Sequence, residues 1–310
     1  MRARSGAPRR EVQVQRALLI VNPFARLARK SVRAATRAFA ASGVQCETVI
    51  TERRGHARDV ALARSKDVDA VFTLGGDGTA VEVLGALAHT GRPVGILPGG
   101  TGNLLARAIG LPMNVPRAVR ALVRGDQALV DLGRLADGSY FAIGAGVGID
   151  AAMIAGTSQA WKRRAGVLSY VVAGASHVLR RRRFTARVTV DGVTVTREAS
   201  VVLIANFGVL LNGLVTLGER IRRDDGRLDV CIFDPVTLPD VFRVSRKLMF
   251  RDFSPDSAMY YLQGSHIILE TDPALVAQAD GELIGNCPLE ASVEPLAACL
   301  LVPQCQINRQ

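Results

Sequence analysis

Aromatic residues are scarce in this chain of 310 residues, at 5%, and they are not interleaved with its basic runs, Lys162-Arg163-Arg164 and Arg180-Arg181-Arg182-Arg183. The stacking platform that single-stranded nucleic acid requires is missing, so no nucleic-acid partner is expected. Histidine is scarcer still: His56, His89, His177 and His266 are scattered and suggest no catalytic or metal-binding constellation. The five cysteines, Cys46, Cys231, Cys287, Cys299 and Cys305, form no C-x-x-C pair and have no histidine at zinc-ligand spacing. That pattern points to reduced, mostly buried thiols in a cytosol. Long apolar runs are absent too. The run after the Arg-rich start ends at Val21, short of a secretory signal, and the longest weakly polar stretch, Phe141 to Gly156, is broken by Asp150. A membrane span needs roughly 18 or more consecutive apolar residues, so a soluble, cytoplasmic chain is expected. No G-x-x-x-x-G-K-[ST] occurs, which excludes a P-loop. Acidic residues are also short, 28 against 39 basic, and the net charge of +11 calls for anionic partners: nucleotide phosphates or an anionic membrane surface.

What is there suits buried cores, with 48% of residues hydrophobic and 22% charged. Single cores stop growing at about 250–300 residues, so two domains are expected. From Arg16 the chain alternates strand-like and helix-like segments: an apolar run Ala17 to Val21, a helix spaced by Ala28, Val32, Ala35 and Phe39, and a strand Val44 to Ile50. A helix His56 to Ser65 follows, then strands Val68 to Leu74 and Val94 to Leu97. Each of the last two strands runs into a glycine turn and then a helix, the grammar of an open parallel sheet. After Gly133 the grammar changes. Thr185 to Ala205 alternates around the hairpin turn Asp191-Gly192, Leu228 to Phe233 and His266 to Glu270 read as further strands, and Ala160 to Leu179 and Pro239 to Leu248 read as helices. The expected layout is a disordered basic tail over 1–13, an α/β nucleotide domain over 14–134, and a β-rich domain over 135–310.

Gly75-Gly76-Asp77-Gly78-Thr79 stands where a parallel strand ends and a helix begins, a place whose backbone N–H groups and helix dipole favour phosphate. Glycines allow close approach, Thr79 can cap the helix or bond a phosphate oxygen, and Asp77 supplies a carboxylate for a metal or ribose. The plainer alternative is a tight turn holding an Asp. A second glycine turn, Pro98-Gly99-Gly100-Thr101-Gly102-Asn103, recurs at the next strand end, where ligand sites of α/β sheets form.

Taken together with Val21-Asn22-Pro23, Thr51-Glu52 with Gly55, Ala106-Arg107, Val130-Asp131-Leu132-Gly133, Asp224-Asp225-Gly226-Arg227-Leu228 and Asp280-Gly281-Glu282, these segments resemble the catalytic domain shared by diacylglycerol, sphingosine and related bacterial lipid kinases. The resemblance covers nearly the whole chain. It implies an N-terminal α/β domain with an open parallel sheet, NAD kinase/phosphofructokinase-like, and a C-terminal antiparallel β-sandwich with helices. It implies an ATP site at Asn22, Pro23, Phe24, Ala25, Arg26, Thr51, Gly75, Gly76, Asp77, Gly78, Thr79, Ala80, Val81 and Thr101, with Asp77 orienting Mg-ATP. It implies Glu282 as general base beside Asp280, and a structural Mg²⁺ on the Asp225 loop held partly by the main chain at Arg222 and Arg227. It further implies a lipid alcohol as acceptor at the inner face of an anionic membrane, with a homodimer compatible with this reading. Read without the resemblance, Asp280-Gly281-Glu282 is an ordinary hairpin turn and Asp224-Asp225-Gly226 a solvated loop.

Two departures stand out: Val81 and Leu104 occupy positions where the family often has Asn and Asp. Rival readings fit less well. An NAD kinase should also show a Thr-Pro-Thr-Gly-Ser-Thr segment, which is absent, and a phosphofructokinase-like enzyme does not account for Pro98 to Arg107. Gly146-x-Gly148-x-x-Ala151 meets the loose dinucleotide fingerprint, but the acidic residue expected about 20 positions on is missing, and a packed Gly-rich strand explains it better.

Overall fold

The structure, a computed structural model, describes residues 13–148, 183–210, 215–219 and 221–304. The basic tail, the helix expected over Ala160 to Leu179, the runs Lys162 to Arg164 and Arg180 to Arg182, and His177, Ala151 and Cys305 lie outside the described residues. The chain forms two compact units, Met1–Val130 with Leu296–Gln310, and Asp131–Pro295.

The first unit begins with β1 (Arg16–Val21), α1 (Ala28–Ala41), β2 (Gln45–Ile50), α2 (His56–Arg64), β3 (Ala70–Gly75), α3 (Asp77–Ala86) and β4 (Pro93–Pro98). Two more helices follow, α4 (Leu104–Ala108) and α5 (Val115–Val123), and then β5 (Asp126–Leu135) leads toward the second unit. The strands β2, β1, β3 and β4 lie side by side and all pair parallel. Every residue of β3 and β4 is buried, as the continuous apolar runs of a sheet covered on both faces require. α5 shows how local sequence sets an element. Asn114 accepts a hydrogen bond from the Arg117 N–H, Pro116 sits in the first turn, and Val115, Ala118, Val119, Leu122 and Val123 share the buried face.

The second unit is antiparallel. Its strands are β6 (Tyr140–Phe141), β7 (Gly144–Val147), β8 (Phe184–Val190), β9 (Val193–Ala199), β10 (Val201–Ala205), β11 (Val209–Leu210), β12 (Val215–Thr216), β13 (Leu228–Phe233), β14 (Met259–Gly264), β15 (His266–Asp272), β16 (Val276–Ala279), β17 (Glu282–Asn286) and the start of β18 (Leu289–Val302), with α6 (Leu238–Phe250) before β14. One sheet joins β18, β15, β8 and β9, and the other runs β14-β13-β10-β7-β16-β17. Their inner faces share one core that includes Val188, Val202, Leu228, Val230, Ile267 and Leu269, so this unit is a β-sandwich. The side chains of β13 alternate between two cores. Leu228, Val230 and Ile232 face the sandwich, while Cys231 and Phe233 join Val244 of α6 and Met259 in a second cluster. That double burial is why Leu228 to Phe233 reads as an unbroken strand. Beyond Pro295 the same β18 belongs to the first unit, where Cys299 and Leu300 pair parallel with Pro93 and Val94. The fingerprint glycine Gly146 lies on β7, where a Cβ would come within 2.2 Å of the Val202 carbonyl oxygen, so close strand packing accounts for it.

Candidate active site

At the C-terminal ends of β3 and β4 the two glycine turns pack backbone against backbone. A Cβ on Gly100 would stand 2.6 Å from the Gly76 Cα, so this contact demands glycine before any ligand does. Asp77 joins the turns. Its Oδ1 accepts the Leu105 N–H at 2.9 Å, which places the carboxylate over the start of α4. Burial pushes its carboxyl up, opposed by the N–H groups of Leu105 and Leu104 and by the Arg107 guanidinium. Asn103, with φ of 48°, closes the second turn: its Oδ1 accepts the Gly100 N–H at 2.9 Å and its Nδ2 donates to the Gly100 carbonyl at 3.0 Å. Arg107 donates from Nε to the Gly102 carbonyl.

Thr79 does not cap α3. The cap position is Gly76, with no side-chain bond, and the buried Thr79 hydroxyl accepts from Asn22 Nδ2 at 3.0 Å. Asn22 in turn accepts the Phe24 N–H on Oδ1, folding the turn after β1. That turn presents Phe24 at 82% exposure and an exposed Arg26, with Pro23 and Ala25 half-buried. Thr51 is buried and its N–H donates to the Val21 carbonyl. Gly76, Asp77, Gly78, Val81 and Thr101 are half-buried, whereas Gly75 and Ala80 are buried. The Ala80 side chain packs the core behind the turn. The first unit thus gathers Asn22, the Phe24 turn, Thr79, Asp77 and both glycine turns at the same ends of adjacent strands, where the N-terminus of α3 suits a phosphate chain.

The second unit holds the other expected residues. Asp280-Gly281 is a two-residue hairpin turn between β16 and β17, with φ of 47° and 87°, as a type I′ turn requires. Asp280 accepts three backbone N–H groups, from Ala142 at 2.6 Å, Ile143 at 2.8 Å and Gly144 at 3.0 Å. These three bonds tie the hairpin to the segment that joins β6 to β7 and to the start of β7. Glu282 opens β17, an exposed strand at the edge of its sheet.

The Asp225 loop is anchored from beneath. The fully buried Asp131 accepts the Gly226 N–H on Oδ2 at 2.8 Å, and its own N–H donates to the Arg223 carbonyl at 2.7 Å. Asp225 accepts the Arg227 N–H and the Gln263 amide, while Arg222 donates to Asp224. Asp229 lies close by, with Oδ2 buried and unpartnered. Burial first, and the Asp225 carboxylate second, push its carboxyl up to about 6. Two neighbouring carboxylates, one with an orphaned oxygen, offer oxygen ligands of the kind hard divalent cations take. No group of three or more His, Cys, Asp or Glu residues gathers among the described residues, so a cation here would rely on main-chain oxygens as well. Sequence reasoning passed over Asn103, Asp131 and Asp229. Asn103 and Asp131 stood in the quoted motifs: Asn103 is the residue before α4, and Asp131 is a charged residue between the apolar Val130 and Leu132 of β5.

Arg183 belongs to the basic run singled out in the sequence. Its guanidinium is paired with Asp234 at 2.9 and 2.6 Å.

Comparison with known proteins covers both units. Residues 16–135 match the diacylglycerol kinase catalytic domain, and residues 143–302 match the YegS C-terminal NAD kinase beta sandwich-like domain. A Staphylococcus haemolyticus protein named "Putative lipid kinase" is 30% identical over 242 residues, 76% of this chain and 77% of that protein. A Synechocystis protein of unassigned function is 30% identical over 237 residues, 75% of this chain but only 54% of its own length. A crystal structure of a "putative diacylglycerol kinase" from Bacillus anthracis matches with a TM-score of 0.78 over 96% of this chain and 98% of that chain, at 21% identity, a likeness of fold.

Proposed function

The chain belongs to the diacylglycerol kinase catalytic-domain family of lipid kinases, and from that membership we propose that it transfers the γ-phosphate of Mg-ATP to a lipid hydroxyl, with diacylglycerol the acceptor and phosphatidic acid the product. The observation that carries the reading is the pair of glycine turns locked together at adjacent strand ends, with Asp77 between them. Phosphoryl transfer demands positioned phosphates and neutralised charge more than covalent chemistry. In this proposal the turn N–H groups hold the phosphates, the Asn22–Thr79 bond fixes the floor of the site, and Phe24 is the exposed aromatic available to the base. Asp77 positions both turns through the start of α4, and its second oxygen is the group that orients the nucleotide's metal. Glu282 takes the proton from the acceptor hydroxyl. A bound Mg²⁺ supplies charge neutralisation for the nucleotide, and a second Mg²⁺ at Asp225 and the main chain of Arg222 and Arg227 would brace that loop, with Asp229 within its reach. Sphingoid bases, ceramide and phosphatidylglycerol are the alternative acceptors of the same class.

The test is transfer of radiolabel from γ-labelled ATP into a total lipid extract, resolved by chromatography. The expected product migrates as phosphatidic acid and is lost in Asp77→Asn. Label in another phospholipid would change the acceptor, and label in no lipid would overturn the reading.

A further inference from the structure

Surface helices of a globular chain bury one face and turn a polar face to water. α6 departs from this. At about 100° per residue, Val241, Val244 and Lys247 share the buried side, while Leu238, Phe242, Met249 and Phe250 fall within one arc on the opposite side, and all four are exposed. Phe242 is 62% and Phe250 68% exposed, and Val236 just before the helix is exposed as well. Five of the sixteen exposed large hydrophobic residues among the described residues therefore lie in this one segment, a concentration that marks an interaction face.

We propose that this face of α6 docks the protein on an anionic lipid bilayer. The charges select that occupant. Arg246 is exposed within the apolar arc and exposed Arg251 follows Phe250, whereas the arc contains no carboxylate. The acidic residues nearby are engaged elsewhere: Asp240 in the capping box with Thr237 and in an ion pair with Arg243, Asp256 with Arg243 and close to Lys247, and Asp252 with Ser254. Apolar side chains interleaved with arginine, whose stems lie along the acyl boundary while their heads meet phosphate, are the composition of an interfacial helix. The net charge of +11 opposes a second copy. The platform is firm. The buried Lys247 Nζ donates to the Ser254 carbonyl and hydroxyl at 2.8 and 2.9 Å, and Arg243 bonds Asp256 from Nε at 3.0 Å, so the helix presents its aromatics without having to fold on the membrane.

The inference deepens the reading of a lipid acceptor, since that acceptor resides in a bilayer, but it is measured separately. The full chain is sedimented with phosphatidylcholine vesicles containing about 30% phosphatidylglycerol, and with vesicles of phosphatidylcholine alone. Wild type is expected to bind the anionic vesicles and to release with salt. The double variant Phe242→Ser/Phe250→Ser should lose about tenfold or more in partitioning, because each phenyl ring withdrawn from the acyl boundary forfeits apolar burial. Arg246→Glu should weaken binding to anionic vesicles only. Thermal midpoints like that of wild type establish that both variants fold, and phosphorylation of a short-chain acceptor dispersed as monomers should be unchanged in both. Failure of the wild type to bind, or partitioning of the double variant within roughly twofold of it, overturns the docking face. A wild-type dimer that the double variant dissociates, with vesicle binding unaltered, assigns the face to a second copy and overturns the proposal equally. Vesicle binding without transfer to any lipid would leave the docking face standing and remove the kinase reading instead.

Discussion

Asp280 and Glu282 stand two positions apart and carry the same group, yet their surroundings give them different work. Three backbone N–H groups converge on Asp280, while Glu282 sits on an exposed edge strand. Glu282→Gln is therefore expected to lower kcat by about 10²- to 10⁴-fold with ATP affinity and thermal midpoint near wild type, because the amide keeps the shape and loses proton acceptance. Asp280→Ala should show the opposite profile, a loss of roughly 3 kcal/mol of stability from orphaned N–H groups, measured by urea denaturation. Unchanged kcat in Glu282→Gln on the phosphorylated lipid would strip it of the role. Asp229 offers another residue-scale test. Its buried, unpartnered oxygen beside Asp225 opposes folding unless a cation compensates it. Mg²⁺ should raise the thermal midpoint of wild type, whereas Asp229→Asn should be more stable than wild type in chelator and respond less to the ion. Equal responses in both proteins would exclude Asp229 from any cation site.

At the scale of elements, the glycine turns act as a pair. A methyl on Gly100 meets the Gly76 Cα with no room to yield, since both atoms belong to backbone at the ends of buried strands. Gly100→Ala should therefore push the turns apart, weakening nucleotide binding by about tenfold or more while costing roughly 1–3 kcal/mol of stability, read by calorimetric titration and by melting. Normal nucleotide affinity in a stable Gly100→Ala protein would show that the turn contact does not shape the site. Much of this was legible in the sequence. Gly75 to Thr79 and Pro98 to Asn103 announce themselves because strand, glycine turn and helix are local patterns, and Leu228 to Phe233 does so because both of its faces are buried. Other parts were not legible, for stated reasons. Thr79 was expected as a helix cap or phosphate ligand; it does not cap, and the Asn22 amide its hydroxyl accepts from lies 57 residues away, farther than any local rule reaches. Asp280 was placed beside the base, and only the approach of β6 and β7 reveals that its oxygens are taken. The exposed face of α6 was hidden within a helix expected at Pro239 to Leu248, because periodicity reports apolar positions without saying which are covered.

For the whole molecule, the least local feature is the return of the chain's last strand. After the excursion through Asp131–Pro295, residues from Leu296 rejoin the first unit, and Cys299 and Leu300 pair with Pro93 and Val94. Contacts spanning some two hundred positions close slowly and leave intermediate chains with an open sheet edge. β4 is that edge, and all six of its residues are buried in the complete chain, where β18 pairs with it. Ala297, Ala298, Cys299, Leu300, Leu301 and Val302 are themselves buried, so the strand is a core element of the first unit although it comes last in sequence. A chain ending at Pro295 should consequently expose an apolar parallel edge and collect in the insoluble fraction, or melt without a cooperative transition if recovered. Adding back residues 288–310 as a separate peptide should restore solubility in part, because the missing interaction is strand pairing and not chain connectivity. A soluble, cooperatively melting chain truncated at Pro295 would show that the first unit completes its core without the returning strand.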